Sequence, residues 1–228
     1  MAHNMPDHEP TSSPSPRRLV LAAGALVVAG AVAAAVLLPQ HRPPGPADAD
    51  GVCHNARRTT ELLTPLVRGE VAGLTLSSAP SPLPDFSFAD SAGKPVKLSD
   101  FRGRTVLINL WATWCDPCRK EMPTLQTLQA TLGGADFAVV AINIDRHNPE
   151  KTRNFLQQKN LTGLGAYVDS EGNTLRELKA IGRVIGMPAS VLVDPQGCEI
   201  ASLTGAAEWS GTDALTLIRA AIHARQPL

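Results

Sequence analysis

The stretch WATWCDPCRKEMP, residues 111 to 123, sets Cys115 and Cys118 two residues apart, after an apolar run and ahead of a helical pattern. Two thiols at that spacing can close a small disulfide staple, supply half of a metal site, or trade electrons with another cysteine pair. Zinc wants four ligands and commonly takes them from two such pairs. Here the other two cysteines, Cys53 and Cys198, are isolated singletons, and no histidine lies three or four residues from a cysteine. As a staple, a Cys-x-x-Cys disulfide closes a short loop and so removes little chain entropy. The reactive reading has a physical basis of its own. A cysteine at the first turn of a helix faces unpaired backbone N–H groups and the positive end of the helix dipole, which stabilise a thiolate. Cys115 is that residue. Cys118, one turn further in, is placed to attack a mixed disulfide formed at Cys115 and release the partner reduced.

This chemistry needs a strand that ends, and a helix that starts, at the pair. TVLINLW (105–111) is β-branched and apolar on both faces, as a central buried strand must be. A helix is expected from about Asp116 to Leu132, with Leu125, Leu128 and Leu132 on one face, Pro117 in its first turn and Gly133-Gly134 as its stop. Elsewhere the pattern predicts a helix from Asn55 to about Val67 carrying Leu62, Leu63 and Leu66, then coil through APSPLPD (79–85). A hairpin is expected over 86–103, turning near Ala92 and Gly93. A second buried strand is expected over 137–145, a helix capped by Asn148 and opened by Pro149 up to about Lys159, and a weak strand over 166–168. A helix over 175–181 follows, then two strands within 187–205 joined by an Asp-Pro-Gln-Gly turn. The last helix, about Thr212 to His223, is expected to turn Leu215, Ile218 and Ile222 inward. Strands alternating with helices specify an α/β fold, a sheet with helices on both faces.

Lysine plus arginine equals aspartate plus glutamate at 21 each, so no net field draws the chain to nucleic acid. Leu19 to Leu38 is an uncharged apolar run that as a helix spans about 30 Å, one bilayer core. Arg17 and Arg18 just before it place the N-terminus in the cytoplasm and everything after Leu38 across the membrane. The alternative is a cleaved signal peptide, whose apolar stretch is usually shorter. The expected organisation is a polar cytoplasmic tail (1–18), a single-pass transmembrane anchor (19–38), a proline-rich linker (39–52) and one folded domain (53–228) in the periplasm.

WATWCDPC after a strand, with GMP about seventy residues later before another, resembles the thioredoxin superfamily over about Leu83 to Ala224. The resemblance implies a thioredoxin-like fold in which Pro188 is cis and lies against the cysteine pair. It also implies that Met187 pairs with substrate through its backbone and that Trp114, Met187 and Pro188 form the substrate-binding surface. No cofactor and no metal are implied. Asn109 stands where thioredoxins carry a buried aspartate, six residues before the first cysteine. Glu121 matches a glutamate of membrane-attached extracytoplasmic reductases, which makes it a third catalytic candidate; a solvated glutamate favouring the helix dipole is the other reading. With the anchor, the GMPASVLVDPQGCEIA segment and the extra cysteines, the chain also resembles the TlpA group of thiol:disulfide interchange proteins. That likeness implies a reductant serving aa3-type cytochrome oxidase biogenesis, with a Sco-type copper chaperone and oxidase subunit II as partners and an integral-membrane electron donor. A cytochrome c maturation reductase acting on apocytochrome cysteines and a copper-binding chaperone module are the alternatives. Within this reading, pairing the reactive cysteines with each other leaves Cys53 and Cys198 as a structural disulfide. Asp116 beside the thiolate favours a more reducing couple, while Arg119 and Lys120 push the other way.

Overall fold

The computed structural model of the chain describes residues 51–146 and 149–224. The expected tail, the apolar span 19–38, nearly all of the linker and Asn148 with its expected cap lie outside the described residues. None of the described helices is long and apolar enough to cross a membrane.

Helix α1 (His54–Leu63) turns Ala56, Thr59, Thr60 and Leu63 inward and leaves Leu62 in solvent. It stops short of Val67, because Pro65 has no N–H to continue the ladder and a 3-10 turn (Thr64–Leu66) takes over. Strand β1 (Thr75–Leu76) lies where coil was expected, and it forms by pairing with β8. The expected hairpin is β2 (Ser87–Ala89) and β3 (Pro95–Lys97). Asp90 Oδ1 accepts from the Ala92 and Lys94 N–H groups across its turn, and Gly93 there has a φ of 79°, which glycine adopts without a Cβ penalty. After β3 the chain forms a 3-10 turn (Leu98–Phe101) that buries Leu98 and Phe101.

Strand β4 (Thr105–Trp111), helix α2 (Asp116–Leu132) and strand β5 (Phe137–Asn143) make a parallel unit, in register from Thr105 opposite Phe137 to Trp111 opposite Asn143. Helix α3 (Pro149–Gln158), strand β6 (Tyr167–Val168), helix α4 (Asn173–Ala180), strands β7 (Ala189–Val193) and β8 (Glu199–Thr204) and helix α5 (Thr212–His223) follow. The sheet order is β1-β8-β7-β4-β5-β6-β2-β3, with β4, β5 and β6 parallel and the rest antiparallel to their neighbours. Every residue of β4, β5 and β7 is buried, which requires helices over both faces.

Two helix faces carry the expected residues and others besides. On α5 the buried stripe is Ala214, Leu217, Ile218 and Ala221, while Leu215 and Ile222 are only half-buried. The stripe runs at i, i+3, i+4 and i+7 with alanines at its two ends; Ile218 lies within it as expected, and Leu215 and Ile222 pack against the core from its margins. On α2 the buried face runs Cys118, Glu121, Met122, Leu125 and Leu128, with Leu132 at its margin. That face carries the second cysteine and the glutamate into the core.

A disulfide joins Cys53, the residue before α1, to Cys198, the residue before β8, with 5.6 Å between Cα atoms. The turn that delivers Cys198 is closed by Asp194, whose Oδ1 accepts from the Gln196 N–H at 2.9 Å and the Cys198 N–H at 2.7 Å. Burial of that carboxyl pushes its pKa upward against these bonds.

Candidate redox-active site

Strand β4 ends at Trp111, and the chain crosses a tight turn before α2 begins. The Cys115 N–H donates to the Ala112 carbonyl at 3.2 Å, and the Thr113 N–H donates to Asp145 Oδ2 at 3.1 Å. Asp145 sits just past the end of β5, its Oδ2 also accepting from Asn143 Nδ2 at 3.2 Å. The carboxylate thus ties the turn before the cysteines to the neighbouring strand, a contact between residues 32 apart in sequence.

Cys115 is the N-cap of α2. Its backbone is extended (φ −87°, ψ 106°), and its Sγ accepts from the Cys118 N–H at 3.3 Å, filling one of the donors a helix start leaves unpaired. Cys115 and Cys118 are bonded to each other, so the structure is the oxidised state. The two sulfurs are unequal: Cys115 keeps 6% of its surface and Cys118 none, so an incoming thiolate reaches the outer sulfur alone. Trp114 projects beside it at 63% exposure.

The Met187–Pro188 peptide bond is cis. Leu110 of β4 pairs with Ala189 of β7, so Pro188 lies one step beyond that pair, at the end of β4 from which the chain runs to Cys115. Met187 is half-buried and Pro188 buried. The topology therefore brings Trp114, Cys115, Cys118, Met187 and Pro188 to one end of the sheet.

Glu121 shares the inner face of α2 with Cys118, one helical turn on, where side chains are neighbours. It is not a solvated helix-dipole partner, being 2% exposed. Its Oε1 accepts from the Trp209 Nε1–H in a short hydrogen bond and from the Ala207 N–H at 3.3 Å, while Oε2 meets Asn109 Nδ2 at 3.4 Å. Burial pushes the carboxyl up to about 7, against the lowering effect of these donors. Asn109 Nδ2 also donates to Ser190 Oγ at 3.0 Å, and its amide oxygen has no partner. With the amide rotated, that oxygen would accept a hydrogen bond from the protonated Glu121 carboxyl. The residue that replaces the thioredoxin aspartate thus adjoins the carboxyl that can exchange a proton.

Outside, Asp116 Oδ1 binds Arg119 Nη2 at 2.7 Å and Oδ2 binds Lys120 Nζ at 2.8 Å. Lys120 and then Arg119 hold the Asp116 carboxyl below its ordinary value, so it stays charged beside Cys115 with its field offset by both cations. Among the described residues no group of three or more histidine, cysteine, aspartate or glutamate side chains is arranged to hold a metal.

The sequence reading did not single out Trp209, Ser190, Asn143 or Asp145. Trp209 had a usable signal, since a buried indole N–H requires an acceptor. The others depend on strand register.

A profile of the Redoxin family matches residues 78–217. The chain belongs to the Redoxin family. The matched Redoxin region includes both site cysteines and Cys198 but begins after Cys53, so the second disulfide ties the family domain to a preceding extension. The thiol-disulfide oxidoreductase ResA of Bacillus thuringiensis subsp. konkukian is 34% identical over 122 residues, which cover 54% of this chain and 67% of that protein. The thioredoxin-like protein YneN of Bacillus subtilis is 34% identical over 116 residues, 50% of this chain and 64% of that one. Among solved structures, a thiol:disulfide interchange protein DsbE from Chlorobium tepidum superposes with a TM-score of 0.54 at 30% identity, covering 65% of this chain and 99% of that one. This Redoxin-family chain has the thioredoxin-like fold and is a thiol-disulfide oxidoreductase.

Proposed function

We propose that the protein is a membrane-anchored, periplasmic reductant of cysteine pairs in partner proteins, of the TlpA group, serving aa3-type cytochrome oxidase biogenesis through a Sco-type copper chaperone and oxidase subunit II. The observation that carries the redox part is the arrangement at the start of α2: an outer sulfur at the helix tip, an inner sulfur sealed from solvent, and a buried carboxyl one turn on. The location rests on the apolar run 19–38 behind Arg17 and Arg18. The copper-site substrates rest on the sequence resemblance.

In the reduced protein the Cys115 thiolate, stabilised by the N-terminal N–H groups of α2, attacks one sulfur of a substrate disulfide. A mixed disulfide forms and the substrate's other sulfur leaves as a thiolate. Glu121 takes the Cys118 proton, Cys118 attacks Cys115 Sγ, and the second substrate sulfur departs. Two electrons have then passed to the substrate, whose thiolates take up two protons, and the protein is left with the Cys115–Cys118 disulfide. Met187, on the outer side of the cis peptide bond, offers its backbone to the substrate chain as an added strand would. Because Asp116, Arg119 and Lys120 largely offset one another, local charge says little about direction of flow; the reducing role rests on the resemblance. A reductant in an oxidising compartment draws its electrons from across the membrane, through an integral-membrane thiol relay.

The test is trapping in cells. Cys118→Ser removes the resolving sulfur, so Cys115 should hold its partners as mixed disulfides that dithiothreitol releases. Recovery of a copper-site protein supports this reading. Recovery of apocytochrome c instead would move the substrate assignment to cytochrome c maturation, and no covalent partner at all would contradict the exchange role.

A further inference from the structure

The connection between β8 and α5, residues 205–211, is bonded to both sides of the exchange site. Its Gly205 N–H donates to the carbonyl of Pro188, the proline from which β7 starts, at 2.8 Å. Its Ala207 N–H and the Trp209 indole N–H both donate to Glu121 Oε1. The Trp209 backbone N–H donates to Thr124 Oγ1 at 3.2 Å, and the Thr124 hydroxyl donates in turn to the Glu121 carbonyl at 2.9 Å. Trp209 is thus bonded to Glu121 by two routes, from its ring to the side chain and through Thr124 to the backbone. The closed circuit fixes the indole against the turn of α2 that follows Cys118. Packing alone would not require this. A fully buried indole needs one acceptor for its N–H, and any backbone carbonyl would serve. The acceptor here is a carboxyl that shares a helix face with Cys118.

We propose that Trp209 is a positioning residue for disulfide exchange: its indole N–H holds the Glu121 carboxyl in place beside Cys118 and favours the charged form that can take a proton. A carboxylate removed from water is costly unless donors replace its hydration. Of the donors that meet Glu121, Trp209 opposes the effect of burial most, ahead of the Ala207 N–H and Asn109. Among the described residues, the groups bonded to this carboxyl from other elements are uncharged: Asn109 of β4, with Ser190 of β7 behind it, and Ala207 and Trp209 of the connection. Cys118 is its titratable neighbour on α2. Hydrogen bonds rather than ion pairs therefore oppose the effect of burial. The inference rests on the part in exchange proposed above for Glu121 and adds the residue that prepares it.

The test uses two variants of the full-length protein in detergent. Trp209→Phe keeps a ring in the core and deletes the indole N–H. Thr124→Val, at a half-buried position, keeps the side-chain shape and frees the Trp209 backbone, so it decides by the same readouts if the first variant does not fold. In the oxidised protein the carbon-13 carboxyl resonance of Glu121, identified by its absence from Glu121→Gln, reports ionisation directly. Trp209→Phe is expected to raise its midpoint by about one pH unit, and Thr124→Val to raise it by less. In the reduced protein, the two successive thionitrobenzoate releases from Ellman's reagent report attack by Cys115 and then resolution by Cys118. The second rate, normalised to the first, should fall about fivefold at pH 7 in Trp209→Phe, the change that a midpoint one unit higher produces, and its pH profile should move with the resonance. Adding Trp209→Phe to Glu121→Gln should cause no further fall. A carboxyl midpoint that neither variant raises, or a fivefold fall on top of Glu121→Gln, would overturn the inference. A raised midpoint with an unchanged second release would leave Trp209 as the residue that holds the carboxyl and reject instead the part of Glu121 in exchange.

Discussion

Cys53→Ser is expected to lower the thermal midpoint of the oxidised protein by roughly 10–20 °C. Cys53 and Cys198 are 145 residues apart, and in the chain-entropy account a cross-link over so long a loop stabilises a fold by about 5 kcal/mol. For a domain of this size, 1 kcal/mol corresponds to about 2–4 °C. The effect is local to one end of the architecture, because the bond pins α1 to the start of β8 whereas the dithiol sits where β4 meets α2. Both sulfurs are buried, so the serine hydroxyl adds a desolvation cost that is separate from the lost bond. The pair Cys53→Ala with Cys198→Ala removes the bond without adding a hydroxyl and should retain most of the loss. Cys115 should still exchange in both variants at temperatures where they are folded. An unchanged midpoint in both would show that the second disulfide has no structural role.

The second large effect concerns Glu121→Gln. The folded carboxyl is raised by burial to about 7 from an ordinary 4.5, so the native state favours the protonated form. The favourable contribution of that form is fully present below about 4.5 and is lost as pH climbs through about 7. The wild type should therefore lose about 3 kcal/mol of stability from this group between those values, and the glutamine variant should lack that part of the slope. Denaturant midpoints measured across this window check it. In exchange, the wild-type rate of resolving the mixed disulfide should rise through the same window as Glu121 becomes able to accept the Cys118 proton. In the variant it should be on the order of a hundredfold slower near neutrality. Glutamine keeps an acceptor for the Trp209 N–H, so the pocket retains its shape and the loss reports on proton transfer. A variant that resolves at the wild-type rate with the same pH profile would remove Glu121 from the mechanism.

Much of this was legible in the residues because local and global signals agree around the dithiol. The apolar run 105–111 could be a strand only if covered on both sides, and the first-turn proline and the glycine stop bounded α2 on both ends. Strand β1 was not legible: Thr75–Leu76 has no alternation of its own and exists because β8 offers an edge. On α5 the inward Leu215, Ile218 and Ile222 were legible, but Ala214 and Ala221, which complete the buried stripe with Leu217 and Ile218, were not, because small residues give a weak hydrophobic signal. At the site, the sequence left Glu121 between a solvent-facing and a catalytic role. What decides its environment is a tryptophan 88 residues later and an asparagine on β4, neither of which spacing can bring near. The Asp145 clamp on the Thr113 N–H was invisible for the same reason, being a consequence of where β4 and β5 end in register.

The central claim is that Cys115, held at the N-terminus of α2 with Cys118 sealed behind it, is the ionised sulfur that begins exchange. The most direct measurement is the pH dependence of iodoacetamide alkylation in the reduced protein, with the labelled cysteine identified by mass spectrometry. Cys115 should be alkylated first, Cys118 spared, and the reaction midpoint should fall below the ordinary thiol value of about 8.5. Alkylation of Cys115 no faster than that of an unstructured cysteine peptide, with an ordinary midpoint, would contradict the account.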